Sequence, residues 1–562
     1  MSANLLLREF ERVSDAPEAI PRLRQFLFDV AVEGRLVEQE PDDEPACDLL
    51  ERIASIKARA ATRQRTATVP NWEPIYSLPE NWVWTSLAEI GYLSPRNDLP
   101  DDQPASFVPM PHISAEYGVP VRHEVRSWGE IKRGYTHFAE GDVAVAKITP
   151  CFENGKSTVF RRLTGGVGSG TTELHVVRPI LVDADFILIF LKSPRFIDGG
   201  IPTMTGTAGQ KRLPSHYFAG SPFPLPPLAE QGRIVAKVNE LMTLCGQLES
   251  AQREREQRRD ASRRASLYRL ARSEDDGAIS TDLRAAVSTL PRLVMRADHV
   301  GEVRQAIRAM AVRGRLIRQD PTNESAADLL AASDQVRMLV SRGDRRASSN
   351  RQELLRSDLR WTVPPSWEWR ALADLVLFID YRGKTPNKVA SGVRLITAKN
   401  IRRGFVSLEP EEFILESEYE QWMTRGLPAA GDVLFTTEAP MGNAAVVRLT
   451  ERFALAQRAI NFRPYGSIDP AFLVLQLLSE PFQEILDKTA TGLTAKGIKA
   501  AKLQRLPIAV PPLAEQCKIV VKVDELTELC DELEESLGSG ETERARLLDA
   551  LLHEALSRGQ LH

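Results

Sequence analysis

The sequence is poor in the residues that build disulfide frameworks, zinc sites and membrane spans. Its five cysteines, at positions 47, 151, 245, 517 and 530, contain no C-x-x-C pair, so we expect neither a disulfide framework nor a structural zinc site. No N-terminal signal pattern occurs, and every apolar run is far shorter than the roughly eighteen residues of a membrane span. These absences predict a soluble, cytoplasmic protein with no membrane contact.

Phosphate-binding and nucleotide-binding loops are also missing. The segment ENGKST from Glu153 ends like a phosphate-binding loop, but Pro150 stands where that loop needs its first glycine, so a turn between strands is the better interpretation. The segment GGVGSGTTE from Gly165 is rich in glycine but lacks the G-x-G-x-x-G spacing. We predict a flexible loop for it.

The sequence also lacks a recognisable metal site or catalytic nucleophile. Asp101 followed by Glu130 and Lys132 imitates a nuclease metal site, but such triplets arise often by chance in a chain with 26% charged residues. Five of the eight histidines lie between positions 112 and 216, without the i, i+4 spacing of a helical metal pair. No G-x-S-x-G elbow occurs. We therefore expect no catalytic residue, no metal and no cofactor.

One sequence motif that is typical of a helix start occurs twice in the chain. PLPPLAEQGRIVAKVNEL begins at Pro224, and AVPPLAEQCKIVVKVDEL begins at Ala509. In each copy the second proline of the Pro-Pro pair suits the first turn of a helix, and Glu230 or Glu515 follows where the helix dipole favours an anion. Each copy therefore predicts the start of a helix.

Both helices carry an apolar ladder with alternating steps of four and three, which is the spacing of a coiled coil. The shared entrance favours pairing of the two ladders in a coiled coil, and the alternative is that each helix packs on a separate core. The ladder residues are Ile234, Val238, Leu241, Cys245 and Leu248 in the first copy, and Ile519, Val523, Leu526, Cys530 and Leu533 in the second.

Other segments repeat in the same order. RQFLFDVAVEGRLVEQEP from Arg24 matches RQAIRAMAVRGRLIRQDP from Arg304, and in each a helix is predicted to stop at the glycine, Gly34 or Gly314. GDVAVAKITP from 141 matches GDVLFTTEAP from 431, whereas the stretch 92–140 has no residue-for-residue counterpart in 377–430. The chain is therefore predicted to be two tandem halves with a common frame and different loops.

The predicted fold class is mixed α/β (α+β), with two globular domains separated by long antiparallel coiled-coil helices in an internal pseudo-twofold repeat. The expected segments are 1–75, an N-terminal helical region; 76–225, the first globular domain; 226–357, a central helical spacer; 358–510, the second globular domain; and 511–562, a C-terminal coiled-coil helix.

These duplicated motifs resemble the specificity subunit of type I restriction-modification systems, over essentially the whole chain. The strongest signals are the two PPLAEQ helices, GDVAVAKITPCFENGKSTVF from 141 and DYRGKTP from 380. The resemblance implies two target recognition domains that each read one half of a bipartite double-stranded DNA site. It also implies helices that set the spacing and dock two methyltransferase subunits, and restriction subunits in the full complex. The chain itself would be a non-catalytic subunit.

Side chains that suit DNA contact lie in predicted turns of both domains, where loops can vary without disturbing a core. Arg and Lys favour guanine, Asn and Gln favour adenine, and phosphate contacts should outnumber base contacts. The candidates are Arg96, Asn97, Lys147, Asn154, Lys156, Thr171, Gln210, Lys211 and Arg212 in the first domain, and Tyr381, Arg382, Lys384, Lys399, Asn400, Arg402, Asn443, Thr494, Lys496 and Lys499 in the second.

Two alternatives belong to other classes of protein. A self-contained DNA methyltransferase or nuclease would require a catalytic constellation, and none is evident in the sequence. A coiled-coil scaffold without a DNA function would not require the divergent loops between the repeated landmarks.

Overall fold

The chain forms two compact units in a computed structural model. The described residues are 16, 18–59, 76–207, 209–272, 294–320, 322–343, 351–352, 354, 359, 361–381, 386–456, 458–491 and 496–557. The first unit comprises Met1–Glu256 together with Glu541–His562, and the second comprises Gln257–Gly540. The five segments expected from the sequence are thus grouped differently, because the helices before each globular domain pack into its core.

The described part of the first unit opens with two helices, and ten strands follow. Its elements are α1 (Ala19–Val32), α2 (Ala46–Arg59), β1 (Val83–Ser86), α3 (Leu87–Ile90), β2 (Gly91–Leu93), β3 (Pro104–Val108), β4 (Glu124–Ser127), α4 (Trp128–Ile131), β5 (Thr136–Ala139), β6 (Val143–Ala146), β7 (Ser157–Val159), β8 (Val167–Gly170), β9 (Leu174–Pro179), α5 (Ala184–Lys192), α6 (Pro194–Gly200), α7 (Ser215–Gly220), β10 (Pro222–Leu225) and the start of α8 (Leu228–Arg272).

The second unit repeats this order. Its elements are the end of α8, α9 (Val300–Val312), α10 (Ala326–Gly343), β11 (Glu368–Ala371), α11 (Leu372–Leu375), β12 (Val376–Asp380), β13 (Val393–Ile396), β14 (Phe413–Ile414), α12 (Tyr419–Trp422), β15 (Val433–Thr436), β16 (Ala444–Val446), β17 (Phe453–Leu455), β18 (Ala459–Pro464), α13 (Pro470–Leu478), α14 (Glu480–Thr489), α15 (Ala500–Leu503), β19 (Pro507–Val510) and the start of α16 (Leu513–Ser557).

Two of the three sheets have the same strand order in both domains, and the third differs by one strand. The ribbon β1–β10 corresponds to β11–β19, and the sheet β2-β9-β6-β7 corresponds to β12-β18-β15-β16. The remaining sheet has the order β4-β3-β8-β5 in the first domain and β14-β13-β17 in the second, and each contains one parallel pair, β3 with β8 and β13 with β17. The internal repeat is therefore confirmed, and it extends in topology into blocks whose sequences do not align.

The repeated Gly-Arg-Leu segments end helices α1 and α9, as the sequence predicts. Gly34 has a φ of 70° and Gly314 a φ of 69°, which is the left-handed conformation that glycine adopts without strain. The amide of the following arginine donates to the carbonyl five residues earlier in both copies, at 3.1 Å for Arg35 and 3.0 Å for Arg315. Both helices therefore end in the same hydrogen-bonded stop.

The repeated Gly-Asp-Val segments place a buried carboxylate at the start of a central strand. Arg178 of β9 donates through Nε and Nη2 to Asp142, both at 2.8 Å, and Arg463 of β18 donates to Asp432 at 3.0 and 2.8 Å. Planar pairing of this kind offsets the cost of burying each carboxylate. Strands β6 and β15 are thereby fixed beside β9 and β18.

The glycine-rich segment near 165 is not the flexible loop that the sequence analysis predicts. Val167–Gly170 is strand β8, which lies between β3 and β5. A Cβ at Gly168 or Gly170 would collide with the backbone carbonyl oxygen of Ser106 or Val108 in the paired strand. The glycines therefore permit close strand contact rather than flexibility.

A buried hydrogen-bond network explains the Glu of the first PPLAEQ copy. Glu230, in the first turn of α8, is 1% exposed. Its carboxylate accepts hydrogen bonds from the Trp82 indole at 2.9 Å and from the Gln39 amide at 2.6 Å. Burial raises the pKa of Glu230, and the two hydrogen bonds oppose this rise. One carboxylate thus joins the long helix, the domain entrance and the segment after α1.

The second copy contains the same network. Glu515 accepts from the Trp367 indole at 2.9 Å and from the Gln319 amide at 2.7 Å. The glutamine that follows each glutamate is also hydrogen-bonded. Gln231 accepts from the backbone amide of Asp183 at 2.8 Å, and Gln516 accepts from that of Asp469 at 2.7 Å. Those two aspartates cap helices α5 and α13. The Glu-Gln pair therefore fixes each long helix to its domain.

Helices α8 and α16 each contribute to both units. In the first unit, Leu548 and Leu551 of α16 pack against Ala16 and Ala19 at the start of α1. In the second unit, the end of α8 packs against α9 through Leu267 and Leu270. Within the described residues, no helix combines the length and the apolar character that crossing a bilayer requires.

Removing the buried carboxylate should destabilise one unit at a time. We expect Glu230→Ala to cost about 2–3 kcal/mol, because the Trp82 indole N–H stays buried without an acceptor. Hydrogen exchange measured by mass spectrometry should show faster exchange in peptides of the first unit and unchanged exchange in the second, and Glu515→Ala should show the converse.

An exposed glutamate on the same helix provides the control. Glu240 pairs with Lys237 at 3.0 Å on the exposed face of α8, so Glu240→Ala should change stability by less than about 0.5 kcal/mol. Equal effects of Glu230→Ala and Glu240→Ala would contradict a structural role for the network.

Candidate nucleic-acid interface

A short hairpin carries three of the candidates in the first domain. Thr205 and Arg212 exchange backbone hydrogen bonds of 3.1 and 2.8 Å, and the exposed residues Gln210, Lys211 and Arg212 lie at its end. The segment after β6 runs beside it, since the Thr149 amide donates to the Lys211 carbonyl at 3.0 Å. Lys147, Lys211 and Arg212 are thereby brought together at one edge of the domain.

The second domain has a hairpin at the equivalent place. Thr491 and Gly497 exchange backbone hydrogen bonds of 2.9 and 3.0 Å, and the Ile498 amide donates to Thr437, which follows β15, at 3.1 Å. Lys496 and Lys499 are exposed beside this hairpin. The sequence analysis did not predict either hairpin, although a Thr-Gly pair opens both of them.

Arg212 is held by an acidic neighbour that the sequence analysis missed. Glu173 accepts two hydrogen bonds from its guanidinium, at 2.9 and 2.8 Å, and these bonds hold the pKa of Glu173 below its usual value. Because the two residues are 39 positions apart in the chain, no local pattern could have paired them. The carboxylate restricts the rotamers of Arg212 and leaves part of the guanidinium at the surface.

Exposed cations lie on both domains. Among the described residues, Arg96, Lys211, Lys399, Arg402, Lys496 and Lys499 are exposed and have no acidic partner within ion-pair distance. In the second domain Lys399 and Arg402 belong to the loop after β13. The Asn443 amide ties that loop to the turn after β15 by donating to the Ile401 carbonyl at 2.9 Å. The exposed cations of this domain thus flank one turn.

Three candidates of the second domain are used inside the fold. Tyr381 is 4% exposed, and its hydroxyl donates to the Gly426 carbonyl at 2.8 Å. Asn400 is 1% exposed and donates to the carbonyls of Ser407 and Pro410, both at 3.1 Å, while Asn443 is also buried. The burial of these three side chains differs from the exposed turns expected from the sequence, and their contact with DNA stays a prediction.

Candidates of the first domain also make internal contacts. Asn97 donates to the Phe138 carbonyl at 2.8 Å and accepts from Arg178 at 2.9 Å, and Lys156 Nζ lies 3.3 Å from the Met110 carbonyl. The Thr171 hydroxyl accepts from the Glu173 amide at 3.2 Å, whereas Asn154 is exposed in the turn after β6. Arg382, Lys384 and Thr494 lie outside the described residues.

The apolar ladders of the long helices are buried chiefly by their own units. Ile234 and Val238 join the core of the first domain, and Ile519 and Val523 join that of the second, which corrects the expected partner of these four residues. Further along, Cys245 packs with α1 beside the partly buried Leu241, and Cys530 packs with Val294 and Val300. Leu526 is half-buried, whereas Leu248 and Leu533 are exposed.

No arrangement for metal chemistry emerges from the described part of the chain. It contains no group of three or more His, Cys, Asp or Glu side chains that could hold an ion. Lys132 of the imitated nuclease site pairs with Asp101, and Glu130 is exposed nearby in sequence.

Comparisons with known proteins agree with this organisation. The profile of the type I restriction modification DNA specificity domain matches residues 364–538. The specificity subunit of the type I restriction enzyme EcoEI from Escherichia coli is 32% identical over 573 residues, and the match covers 96% of this chain and 94% of that subunit. The EcoAI specificity subunit, also from Escherichia coli, is 32% identical over 561 residues with the same coverage.

Two solved structures also match. The HsdS subunit from Thermoanaerobacter tengcongensis is 20% identical with a TM-score of 0.43, and the match covers 86% of this chain and 98% of that chain. A chain from work on complex assembly and conformational transition of the type I R-M system is 19% identical with a TM-score of 0.46, over 85% of this chain and 98% of that chain.

Substitutions at the neighbouring residues Lys399 and Asn400 should have different effects, one on DNA binding and the other on stability. We expect Lys399→Ala to change stability by less than about 0.5 kcal/mol and to weaken binding to duplex DNA of any sequence, because an exposed cation is lost. Asn400→Ala should cost about 2–3 kcal/mol, because it leaves buried carbonyls without donors. Thermal unfolding and fluorescence anisotropy of labelled duplexes would measure both. Unchanged affinity of Lys399→Ala would assign that lysine to ordinary solvated surface.

Proposed function

Because the chain belongs to the family of type I restriction enzyme specificity subunits, we propose that each of its globular domains reads one half of a bipartite DNA site. The observation that carries this proposal is the duplicated frame with different exposed loops. The two domains share strand order, buried Asp-Arg pairs and hairpin position, yet the residues at their exposed edges differ. A specificity subunit recognises a DNA sequence and does not catalyse a reaction. The residues that select the sequence are therefore expected in such loops.

The proposed contacts divide into two kinds. Arg212 and Gln210 on the first hairpin have the donor and acceptor groups for base edges, and Glu173 restrains Arg212 before binding. Lys211, Lys399 and Lys496 are long exposed cations that suit backbone phosphates. Binding by the whole surface should therefore be strongly salt-dependent.

Exchange of one variable block should change one half of the recognised site. We expect replacement of residues 92–212 by the matching block of a relative to alter one half-site and leave the other intact, since the second domain has its own core. Sequencing of DNA methylated by the co-expressed complex would read both halves. Simultaneous change of both halves would refute modular reading, and protection of no DNA by the parent complex would refute the proposed function.

We also propose that the long helices dock two methyltransferase subunits, with restriction subunits joining in the full cytoplasmic complex. Leu244 and Leu248 of α8 are exposed, and so are their counterparts Leu529 and Leu533 of α16. An apolar pair repeated at equivalent positions suits two copies of one partner. The exposed pairs support a stoichiometry of two.

The helices are further proposed to set the distance between the two half-sites. A heptad inserted after Gln252 and another after Leu537 would add about 10 Å to each helix and preserve its apolar face. At about 3.4 Å per base pair, the spacer of the recognised site should grow by about two or three pairs. Methylome sequencing should detect this growth with both half-site sequences unchanged. An active variant with the parental spacer would exclude a spacing role for the helices.

A further inference from the structure

Three arginines converge where helix α9 meets the second recognition domain. Helix α9 packs against α13 and α14, and it carries Arg304 and Arg308 one turn apart on the same face. Arg403, from the loop after β13, donates through Nη2 to the carbonyl of Leu478 at 3.2 Å. Since Leu478 is the last residue of α13, the Arg403 guanidinium lies at the end of the helix on which α9 packs.

Only part of this positive charge is neutralised. Arg304 pairs with Asp531 and, at 2.7 Å, with Glu534 of α16. Arg308 makes no hydrogen bond or ion pair with the described residues, and the one such contact of Arg403 is the Leu478 carbonyl. Burial, Arg403 and Arg304 together lower the pKa of Arg308. The half-buried Arg308 and the exposed Arg403 therefore lie near each other, and neither has an ion-pair partner of its own among the described residues.

The first unit has an uncharged residue at the position of Arg308. The residue matching Arg308 is Phe28, whose ring lies 5.5 Å from that of Tyr117 in the core. The residue matching Leu478 is Lys192, whose Nζ donates to the carbonyls of Ala115 and Gly155 at 2.8 and 3.1 Å. Apolar packing and backbone carbonyls thus satisfy the corresponding positions.

The surroundings of the first-unit position contain acids as well as cations. A groove of about 570 Å³ adjoins Phe28, and its charged lining residues are Glu116, Glu153, Asp198 and Glu249 together with Arg24 and Lys192. The unneutralised arginines are therefore a property of the second half alone and not a requirement of the shared fold.

We propose that Arg308 and Arg403 bind a backbone phosphate of the DNA beside the second half-site. A guanidinium fork matches phosphate oxygens, and two such forks tolerate close approach when an anion lies between them. The loop that carries Arg403 also carries the exposed Lys399 and Arg402, so further cations lie close to Arg403 in sequence. The inference rests on the proposed function. It adds a phosphate contact made by a helix that lies outside the variable loops.

The test uses the complex with its methyltransferase partner and Arg308→Gln or Arg403→Gln. Affinity for a cognate duplex would be measured over a series of salt concentrations. Each variant should weaken binding to cognate and unrelated duplexes by a similar factor and should lower the slope of log K against log salt by about one, because one phosphate contact is lost. The methylated sequence should stay the same, and Arg308→Lys should keep most of the slope.

Arg394→Gln is the matched control in the same domain. Its guanidinium already pairs with Glu411 at 2.9 Å and Glu451 at 3.3 Å, so its replacement should leave the salt slope unchanged. Thermal unfolding would verify that the three glutamine variants are folded.

Two results would overturn the inference and leave the proposed function standing. One is an unchanged salt slope in folded Arg308→Gln and Arg403→Gln complexes that still bind DNA. The other is an unchanged slope together with loss of a methyltransferase subunit in native mass spectrometry, which would assign the arginines to an acidic protein surface. Failure of the parent complex to select any duplex would instead refute the proposed function itself.

Discussion

The buried carboxylate at the start of each long helix is the interaction on which both halves depend. Glu230 and Glu515 each accept from one indole and one amide, which belong to segments about 150 and 190 positions earlier in the chain. A carboxyl group in such a buried place requires hydrogen-bond donors for its oxygen atoms. Each carboxylate therefore fixes the start of the long helix relative to two other parts of its unit. These are the first strand region of the globular domain and the segment that follows α1 or α9.

The recognition surfaces of the two halves can differ while this buried network stays the same. The Asp-Arg pairs and the capped helices α5 and α13 hold the central sheets, and the hairpins at Thr205 and Thr491 extend from their edge. The exposed hairpin residues Gln210, Lys211 and Lys496 take no part in the buried network around Glu230 and Glu515. The difference between Phe28 and Arg308 shows that even a helix of the shared frame can be adapted to charge in one half alone.

Much of the fold could be predicted from the sequence, because its signals are local. The Pro-Pro entrances, the glycine after α1 and the Gly-Asp-Val strands depend on neighbouring residues, and they were confirmed. Burial depends on contacts made far along the chain, which is why Tyr381 and Asn400 were wrongly expected at the surface. The glycine-rich strand β8 was missed for the same reason, since its requirement is a neighbouring carbonyl more than 60 residues earlier. The DNA contacts themselves stay predictions.

The passage of α8 and α16 through both units has a consequence for biosynthesis. Most of the first unit precedes the second globular domain in the chain, but Leu548 and Leu551, which cover Ala16 and Ala19, follow that domain. Until α16 is translated, the beginning of α1 therefore keeps an apolar surface uncovered. A nascent chain that lacks Leu548 and Leu551 therefore leaves this apolar surface accessible to chaperones.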